Sequence, residues 1–515
     1  MKEIYKTPVV VALLLFTFAS CSVLHTGSMK DDGKIEIDFV QVNDVYEIAP
    51  VNNGKLGGMA RVAGLKKEIE KNNPNTLLIM AGDFVSPSVY NGLQYQGKFI
   101  RGKQMIEAMN AAGFDIAGFG NHEFDIPEKD LQSRLDESNF EWVSSNSFHE
   151  VNNKMVPFEK NNEPLPSYIF KTFHDKDGTT AKLGFIGINI PFNKAGYVNY
   201  KDPFAAASVI YNQIKDSCDA VIAITHQLVA DDIKLAQQLP GLAVILGGHE
   251  HDMRFEKTGN IYITKAHSNA KSAFVVKLGI DKKTKTLSVT PKLRNLNDSI
   301  KYDSATAQVV RHWTNIADSS FRTAGFDAKK VLLQSGEPLD ARDEKVRQGS
   351  SNLTKLITAA MEKACPDAQI AIFNTGSLRA DDILYPPVTE YDIIRALPFG
   401  GAIREADITG RLIIKVLDAG LLNKGSGGFL QYSSFVTYNQ PDRKWLMNGK
   451  PIEPDKIYKV AVPGFLISGK EANLDFFSEK NYDVYRLYNA ATSVENSKSD
   501  IRLALIKYLE SINRQ

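Results

Sequence analysis

The stretch from about residue 35 to residue 300 alternates short apolar runs with segments of helix-like spacing. The apolar runs are largely β-branched or aliphatic, which predicts strands at 35–42, 76–80, 114–119, 182–190, 220–225 and 242–246. Between them, apolar residues recur at helical intervals, which predicts helices at 60–71, 103–112 and 206–216. Strands that are apolar on both faces and separated by helices are typical of an α/β layered domain.

The pattern changes after this region. Residues 260–293 alternate apolar and polar positions around a Lys282-Lys283-Thr284 turn, which predicts an antiparallel hairpin that closes the first domain at 34–302. Residues 303–325 then predict one helix that links two domains. Short apolar runs at 369–373, 403–408 and 458–462 predict the strands of a second, smaller α+β domain over 326–515.

The first residues predict an export signal. Lysines precede a short apolar run at residues 8–19, which is too short to span a bilayer as a mature helix and is typical of a signal peptide at 1–20. The following Ala19-Ser20-Cys21 resembles the bacterial lipobox, with Phe18 in place of the usual leucine, so we expect a lipidated Cys21 on a tether at 21–33. The alternative is an ordinary cleavage site with an incidental cysteine. We therefore expect an extracytoplasmic protein, lipid-anchored to a bacterial membrane on its periplasmic side or at the cell surface.

Composition excludes several classes of protein. The 515 residues contain 61 Lys and Arg against 60 Asp and Glu, so no overall charge attracts the chain to a nucleic-acid polymer. An apolar share of 43% and a charged share of 23% argue against disorder. The three cysteines are too few for a disulfide framework, and their spacing fits no zinc-finger pattern.

Five predicted strands end in residues that can bind metals. These ends are Asn43-Asp44, Gly82-Asp83, Gly120-Asn121-His122-Glu123, Thr225-His226 and Gly247-Gly248-His249-Glu250-His251. Each signal alone is weak, because a histidine at a strand end is more often a hydrogen-bonded core residue than a ligand. Ligands of open α/β sheets bind outside the carboxyl ends of the strands, so we expect the five ends to converge.

The chemistry of these residues predicts a hydrolytic metal site. Mixed carboxylate, amide and imidazole ligands suit Zn, Mn, Co or Fe, and the absence of cysteine among them disfavours a structural zinc site. One carboxylate able to bridge, flanked by two groups of ligands, predicts two divalent ions.

These five segments resemble the motif set of the calcineurin-like metallophosphoesterases, and in particular the 5′-nucleotidase and UDP-sugar hydrolase family. Gly120-Asn121-His122-Glu123-Phe124-Asp125 is the most specific element, and Gly57-Gly58-Met59-Ala60-Arg61 also matches. The likeness extends over nearly the whole chain after the signal. It implies a four-layer α/β/β/α metallophosphoesterase domain joined by a helix to a substrate-binding domain.

The resemblance also implies roles for the ligands. Asp83 would bridge the metals, Asp44 and His251 would complete the first metal site, and the second would take Asn121, His226 and His249. A hydroxide between the metals would attack phosphorus in line.

The same resemblance places His122 beside the leaving oxygen. Paired with Asp125, it would stabilise the transition state or protonate the leaving group. The alternative is a pair that only orients the loop.

One position departs from the family pattern. Asn-Asp-x-His is usual, and this chain has Asn43-Asp44-Val45-Tyr46-Glu47. A neutral phenol substitutes poorly for imidazole as a ligand. We therefore expect weaker binding of the first metal, its completion by Glu47 or water, or a changed metal preference, with Tyr46 packing over the site.

The second domain carries residues that resemble the family's substrate site. The implied set comprises Arg347, Asn374 and Arg379 as polar groups that hold ribose or phosphate, and Phe399 and Phe465 as rings that sandwich a nucleobase. The alternative for the two phenylalanines is core packing. The family's glycine-rich loop is replaced here by Ser468-Gly469-Lys470-Glu471-Ala472-Asn473, in which Glu471 has the spacing of a ribose-binding acid.

Together these features predict metal-dependent hydrolysis of nucleoside 5′-monophosphates to nucleoside and phosphate. One alternative is a UDP-sugar or 2′,3′-cyclic nucleotide phosphodiesterase that uses the same metals. Another, of a different class, is a catalytically weakened surface nucleotide-binding protein, for which the missing histidine at Tyr46 is the only hint.

Overall fold

The structure, a computed structural model, describes residue 1 and residues 30–193 and 195–513. The predicted signal peptide and Cys21 lie outside the described residues. Among the helices that are described, none combines the length and the apolar character needed to span a bilayer.

The first six-stranded sheet begins with the apolar run that follows residue 33. Its strands, in spatial order, are Thr286–Asn295, Ser272–Asp281, Lys34–Val42, Thr76–Ala81, Ile116–Gly118 and Glu141–Val143. Lys34–Val42 pairs parallel with Thr76–Ala81, so that Val40 lies opposite Leu78, and antiparallel with Ser272–Asp281. Thr76–Ala81 is buried along its whole length, as its unbroken apolar sequence predicts.

A second six-stranded sheet packs against the first. Its strands, in spatial order, are Tyr168–His174, Thr180–Asn189, Ala220–His226, Leu242–Gly248, Ile261–Lys265 and Arg254–Thr258. Apolar side chains of both sheets form one core between them, in which the rings of Phe39 and Phe185 meet edge to face at 6.0 Å.

Helices cover the outer face of each sheet. Those of this domain are Met59–Glu70, Lys103–Ala112, Glu128–Glu137, Pro203–Ile214 and Val229–Gln238. Their ends follow local chemistry: Asp202 accepts a hydrogen bond from the Ala205 N–H at the start of Pro203–Ile214, and Gly113 ends Lys103–Ala112 with a φ of 71°. The predicted α/β/β/α layering is confirmed.

This domain also contains short two- and three-stranded ladders outside the two sheets. They are Gln94–Tyr95 with Lys98–Phe99, Ser147–Val151 with Lys154–Val156 and Val198–Tyr200, and Glu159–Lys160 with Glu163–Pro164.

The segment predicted as one closing hairpin divides between the two sheets. Ser272–Asp281 and Thr286–Asn295 form the hairpin at the edge of the first sheet. Ile261–Lys265 instead pairs parallel with Leu242–Gly248 in the second sheet. An alternating pattern cannot show which sheet a strand joins. Here one strand of the segment joins the second sheet and the other two join the first.

A 20-residue helix, Ser304–Thr323, connects the domains. Asp303 caps it by accepting the Thr306 N–H at 2.9 Å, and the Lys67 ammonium pairs with the same carboxylate. Trp313 is fully buried on the face that packs against the first domain and donates to Glu107 at 2.8 Å. These contacts hold the helix against the first domain.

The second domain is built on a mixed five-stranded sheet. Its strands, in spatial order, are Leu430–Tyr432, Ile370–Asn374, Ile457–Pro463, Ile403–Thr409 and Val484–Leu487. Smaller ladders are Val436–Asn439 with Lys444–Met447 and Lys450–Pro451, Val331–Leu333 with Val388–Thr389, and Leu339–Asp340 with Ile383–Leu384. The helices are Asp343–Val346, Asn352–Ala364, Glu390–Ala396, Gly410–Leu422 and Ile501–Asn513. This is the α+β arrangement expected for the smaller domain.

Candidate metal centre

The predicted metal ligands converge at the carboxyl ends of strands from both sheets. Asp44, Asp83 and Asn121 follow strands of the first sheet, and His226, His249 and His251 end or follow strands of the second. Because the two sheets face each other, their strand ends form one polar pocket above the shared core.

The backbone at these turns is held in an unfavourable conformation. Asp44, Asp83 and His249 have φ values of 53°, 57° and 89°, in the left-handed region that non-glycine residues rarely adopt. At Gly82 an added Cβ would lie 2.6 Å from His226 Nδ1, so this turn requires glycine for close approach. Strain concentrated at the turns that carry predicted ligands is typical of a functional site.

Two carboxylates and one imidazole form the centre of the pocket. His226 Nε2 lies 3.1 Å from Asp83 Oδ2 and 3.8 Å from Asp44 Oδ1, and all three side chains are buried. One oxygen or nitrogen from each lies within 4.8 Å of the others, a spacing that suits a metal ion.

The protonation pattern of His226 supports a ligand role. Its Nδ1 lies 2.8 Å from the carbonyl of Ala81, which fixes a proton on Nδ1, so Nε2 is the nitrogen that faces the two carboxylates and would bind a metal. Nε2 is buried, and no residue that the structure describes forms a hydrogen bond of normal geometry with it. Burial lowers the pKa of His226, but Asp83 and Asp44 outweigh it and raise that pKa to about 10. The two carboxylates therefore give the pocket a negative potential that would favour binding of a divalent cation.

Asn121 and His249 lie next to each other beside His226. His249 Nδ1 is 3.2 Å from Asn121 Oδ1, and its ring meets that of His226 edge to face at 5.3 Å. Burial and the neighbouring His226 lower the pKa of His249 to about 3. A neutral imidazole is the form that binds a metal.

The predicted pair of His122 and Asp125 is also present. His122 Nδ1 lies 2.6 Å from Asp125 Oδ2, and Asn193 donates to the second oxygen of that carboxylate at 2.8 Å. The backbone N–H of His122 donates to Asp83 Oδ1 at 2.8 Å. The pair is thus attached directly to the central carboxylate of the pocket.

Glu123, quoted in the sequence motif but assigned no role, holds the Asp83 turn. Its carboxylate is buried and accepts N–H groups from Asp83, Phe84, Val85 and Gly120 at 2.6–3.1 Å. These four bonds fix the turn in its left-handed conformation.

Lys265 holds the loops that carry His226 and His249. No sequence pattern marked this residue. Its ammonium group is fully buried and donates to the Gly248 carbonyl and to Asp232, both at 2.8 Å. It also contacts the carbonyl of Gln227 and the carboxylate of Glu250. It therefore ties together the two loops that carry His226 and His249.

The second domain reaches the pocket through Asp381. The Asp381 carboxylate pairs with Nδ1 of His251, and both side chains are about four-fifths buried. Burial lowers the pKa of His251, but Asp381 outweighs it and raises that pKa to about 9. A short distance away, Lys271 of the first domain pairs with Asp382 at 3.1 Å.

A cavity of about 780 Å³ opens between the domains above these residues. Its floor includes Asp83, Asn121 and His249, and its far wall includes Arg347 and Arg379. Arg347 pairs with Asp343, while the Arg379 guanidinium lies 3.9 Å from Asp125 Oδ2. The two predicted arginines therefore face the predicted metal pocket.

Asn374 and the two predicted aromatic rings lie outside the cavity lining. Asn374 is buried and donates to Glu471 at 2.7 Å, which associates the replaced loop with the predicted substrate site. Phe399 and Phe465 are 63% and 50% exposed, so core packing does not explain them. The Arg379 guanidinium lies 5.7 Å from the Phe399 ring and so connects the ring to the cavity.

Glu47, one of the groups expected to complete the first metal site, contacts the second domain: its carboxylate accepts a hydrogen bond from the Tyr391 hydroxyl. Tyr46, expected to pack over the site, lies with its ring 5.4 Å from that of His251 and directs its hydroxyl toward Asp44 and Asp83.

Comparisons with known proteins cover both domains. Residues 37–253 match the family model described as calcineurin-like phosphoesterase, and residues 330–479 match the model described as 5′-nucleotidase, C-terminal domain. Protein UshA of Escherichia coli is 25% identical over 91% of each chain, and a 5′-nucleotidase of Bos taurus is 25% identical over 80% of this chain and 78% of its own. The solved 5′-nucleotidase precursor of Thermus thermophilus is 20% identical, with a TM-score of 0.70 over 93% of this chain and 97% of its own.

Proposed function

Because the chain belongs to the calcineurin-like phosphoesterases that carry a 5′-nucleotidase C-terminal domain, and is thus a hydrolase of phosphoester bonds, we propose that it releases phosphate from nucleoside 5′-monophosphates. The observation that carries this proposal is the convergence of six ligand residues beneath a cavity walled by arginines of the second domain. That combination suits a phosphate ester bound at a metal centre.

In this proposal two sets of ligands would share one carboxylate. Asp44, His251 and Asp83 would hold the first metal, and Asp83 would join Asn121, His226 and His249 around the second. When bound, the ions supply Lewis-acid stabilisation of the phosphoryl oxygens and activate water as the nucleophile.

The chain's own groups position the ester and manage its protons. In its imidazolium form His122 would keep Nδ1–H on Asp125, 2.6 Å away, and the opposite nitrogen would carry the proton that is donated to the leaving oxygen. Arg379 lies near Asp125 and suits a phosphate or ribose oxygen. If His122 and Asp125 only orient the loop, their replacement will affect metal binding and turnover together.

The base is held by the second domain. Phe399 and Phe465 present exposed rings on which a nucleobase stacks without sequence-specific hydrogen bonds. Asn374 and Glu471, joined by a hydrogen bond, supply an amide and a carboxylate for ribose hydroxyls. Arg347 contributes a further positive group on the cavity wall.

The test compares substrates on one preparation. Purified protein is stripped of metal, reloaded separately with Mn, Zn, Co, Fe or Mg, and assayed on AMP, UDP-glucose and 2′,3′-cyclic AMP. We expect near two metals per chain and metal-restored phosphate release from AMP. Cleavage restricted to UDP-glucose or the cyclic nucleotide would assign the alternative substrates. Nucleotide binding without turnover under every metal would indicate the catalytically weakened binding protein.

We also propose that the protein works outside the cytoplasm, anchored through a lipidated Cys21. Support comes from the apolar run and lipobox-like residues of the sequence alone. Metabolic labelling with a radioactive fatty acid is expected to mark the wild type and to leave Cys21→Ala unlabelled. Labelling of that variant would contradict the anchor.

A further inference from the structure

Arg347, on the wall of the interdomain cavity, is fixed at its backbone. Its N–H donates to the carbonyl of Asp343 at 3.0 Å, and its own carbonyl accepts the N–H of Gly425 at 2.9 Å. The preceding carbonyl, that of Val346, accepts the side-chain amide of Gln431 at 2.9 Å. These bonds leave the direction of the guanidinium undetermined, because an arginine side chain is long and has many rotamers.

One carboxylate holds the Arg347 guanidinium. Among the residues that the structure describes, Asp343 is the one whose carboxylate pairs with Arg347, and both side chains are about three-quarters buried. The two residues lie four positions apart, across the single turn of helix Asp343–Val346. Arg347 Nε is buried, and no described residue accepts a hydrogen bond from it. A guanidinium carries five N–H donors, so Arg347 keeps donors for a ligand in the cavity.

A second carboxylate competes for this arginine. The N–H of Asp343 donates to Asp381 Oδ1 at 2.5 Å, and the other oxygen of Asp381 pairs with His251 Nδ1. Burial would raise the pKa of Asp381, but His251, the Asp343 N–H and Arg347 outweigh it and lower that pKa to about 2. Without the Asp343 carboxylate, Arg347 would therefore be drawn to Asp381 and would compete with His251 for it.

We propose that Asp343 is a positioning residue for substrate binding, whose carboxylate orients the Arg347 guanidinium toward the phosphate ester in the cavity. The inference rests on the proposed function, in which Arg347 holds an oxygen of the nucleotide. Asp343 acts through Arg347 and does not touch the substrate. An arginine that is already oriented loses less conformational freedom when the ester binds, so its orientation strengthens binding.

Two effects of the Asp343 carboxylate oppose each other. Its negative charge repels a phosphate, whereas its pairing with Arg347 orients the group that binds the phosphate. Repulsion across a hydrated cavity is weakened by solvent and salt. Loss of a hydrogen bond to a charged group instead costs roughly a factor of 10–100 in affinity. Orientation therefore dominates, and Asp343→Asn should weaken substrate binding although it makes the cavity less negative.

The test is a double-mutant cycle of Asp343→Asn and Arg347→Ala, with Glu344→Gln as the matched control. Glu344 lines the same cavity and pairs with Arg342 at 2.8 Å, so the control removes the same charge from the same wall without touching Arg347. Each variant is loaded with metal, its metal content is measured by elemental analysis, and its fold is checked by circular dichroism. KM and kcat are measured for AMP. The affinity for inorganic phosphate is measured by isothermal titration calorimetry, which needs no turnover.

We expect Asp343→Asn to raise both the KM for AMP and the Kd for phosphate by about tenfold, with kcat much less affected. Glu344→Gln should leave both constants within about twofold of the wild type, as for an exposed ion pair. In the Arg347→Ala background, Asp343→Asn should cause no further loss, because the two residues act as one unit.

The outcomes separate this inference from the proposed function. Equal effects of Asp343→Asn and Glu344→Gln, or the same loss from Asp343→Asn with and without Arg347, would overturn the role of Asp343 and leave the proposed function in place. A wild type that binds phosphate without cleaving AMP would contradict the proposed function, and the cycle in phosphate affinity would still decide the role of Asp343. A metal-loaded wild type that neither binds phosphate nor cleaves AMP would overturn both.

Discussion

Asp381→Asn tests whether the second domain completes the metal centre. Asp381 pairs with Nδ1 of His251, whose other nitrogen lies 3.5 Å from Asp44 Oδ1. The substitution keeps the shape of the side chain and removes its negative charge. With a metal on the opposite nitrogen, His251 donates its Nδ1 proton to this carboxylate, which orients the ring and raises its basicity as a ligand.

Two estimates give the size of the effect. Hydrogen bonds to charged groups contribute about 1.5–3 kcal/mol, and these side chains are about four-fifths buried, so solvent screens the pair only partly. Partners of metal-bound histidines are worth about 10–100-fold in affinity, which is about 1.4–2.7 kcal/mol. We therefore expect Asp381→Asn to weaken the first metal by 10–100-fold and the second by much less.

The assay is a metal titration against a competing chelator. The matched control is Asp382→Asn, which removes the neighbouring carboxylate and its 3.1 Å pairing with Lys271 across the same interface without touching a ligand. Its first-metal affinity should stay near that of the wild type. Equal losses in both variants would show that the domain contact matters only as a whole, and an unchanged affinity in Asp381→Asn would refute the reasoning.

Three further predictions follow from the same geometry. Asp83→Ala removes the carboxylate common to both ligand sets and should lower kcat by more than about a hundredfold with metals present, since even one electrostatic contact costs 10²–10³; full activity would contradict the two-metal assignment. Phe465→Ala should raise KM for AMP by about 5–100-fold, the value of one stacked base, with kcat little changed in steady-state assays. Asp303→Ala removes the cap of the linker helix and should lower the free energy of unfolding by about 1 kcal/mol in urea titrations at pH 7. Burial would raise the pKa of Asp303, but Lys67 and Thr306 outweigh it and lower that pKa. The difference in unfolding free energy between wild type and variant should therefore shrink as the pH falls below about 4. A constant difference across that range would be evidence against the cap.

The position of the metal pocket was predictable because its signals are local. Asp44, Asp83 and His226 each follow an unbroken apolar run, and an apolar run that ends in a polar residue marks a strand end in the sequence itself. The rule that ligands gather beyond the carboxyl ends of strands then brings together residues up to 207 positions apart, as Asp44 and His251 are. The layered architecture was predictable from the same apolar runs, because a strand that is apolar on both faces must be packed against other elements on both sides.

Other parts of the site depend on long-range packing that no local pattern encodes. Asp381 lies in a loop of the second domain, and its sequence neighbours carry no sign that it meets His251. Lys265 is an ordinary lysine in sequence, and only the parallel pairing of Ile261–Lys265 with Leu242–Gly248 buries it beneath the ligand loops. The hydroxyl of Tyr46 points toward Asp44 and Asp83. Composition and propensity describe the chemistry of a side chain and leave this direction undetermined.

In the proposed site, the contacts of Asp381 would link metal binding to substrate binding. The same domain arrangement that places Asp381 on His251 also places Arg379 3.9 Å from Asp125 and closes the wall of the cavity. A substrate that bridges Arg379 and the metal pocket stabilises that arrangement, and the arrangement supplies His251 with its carboxylate. Because coupling between two binding events is reciprocal, the factor by which substrate strengthens the first metal must equal the factor by which that metal strengthens substrate. In Asp381→Asn both factors should fall together, because this carboxylate of the second domain contacts a predicted ligand of the first metal.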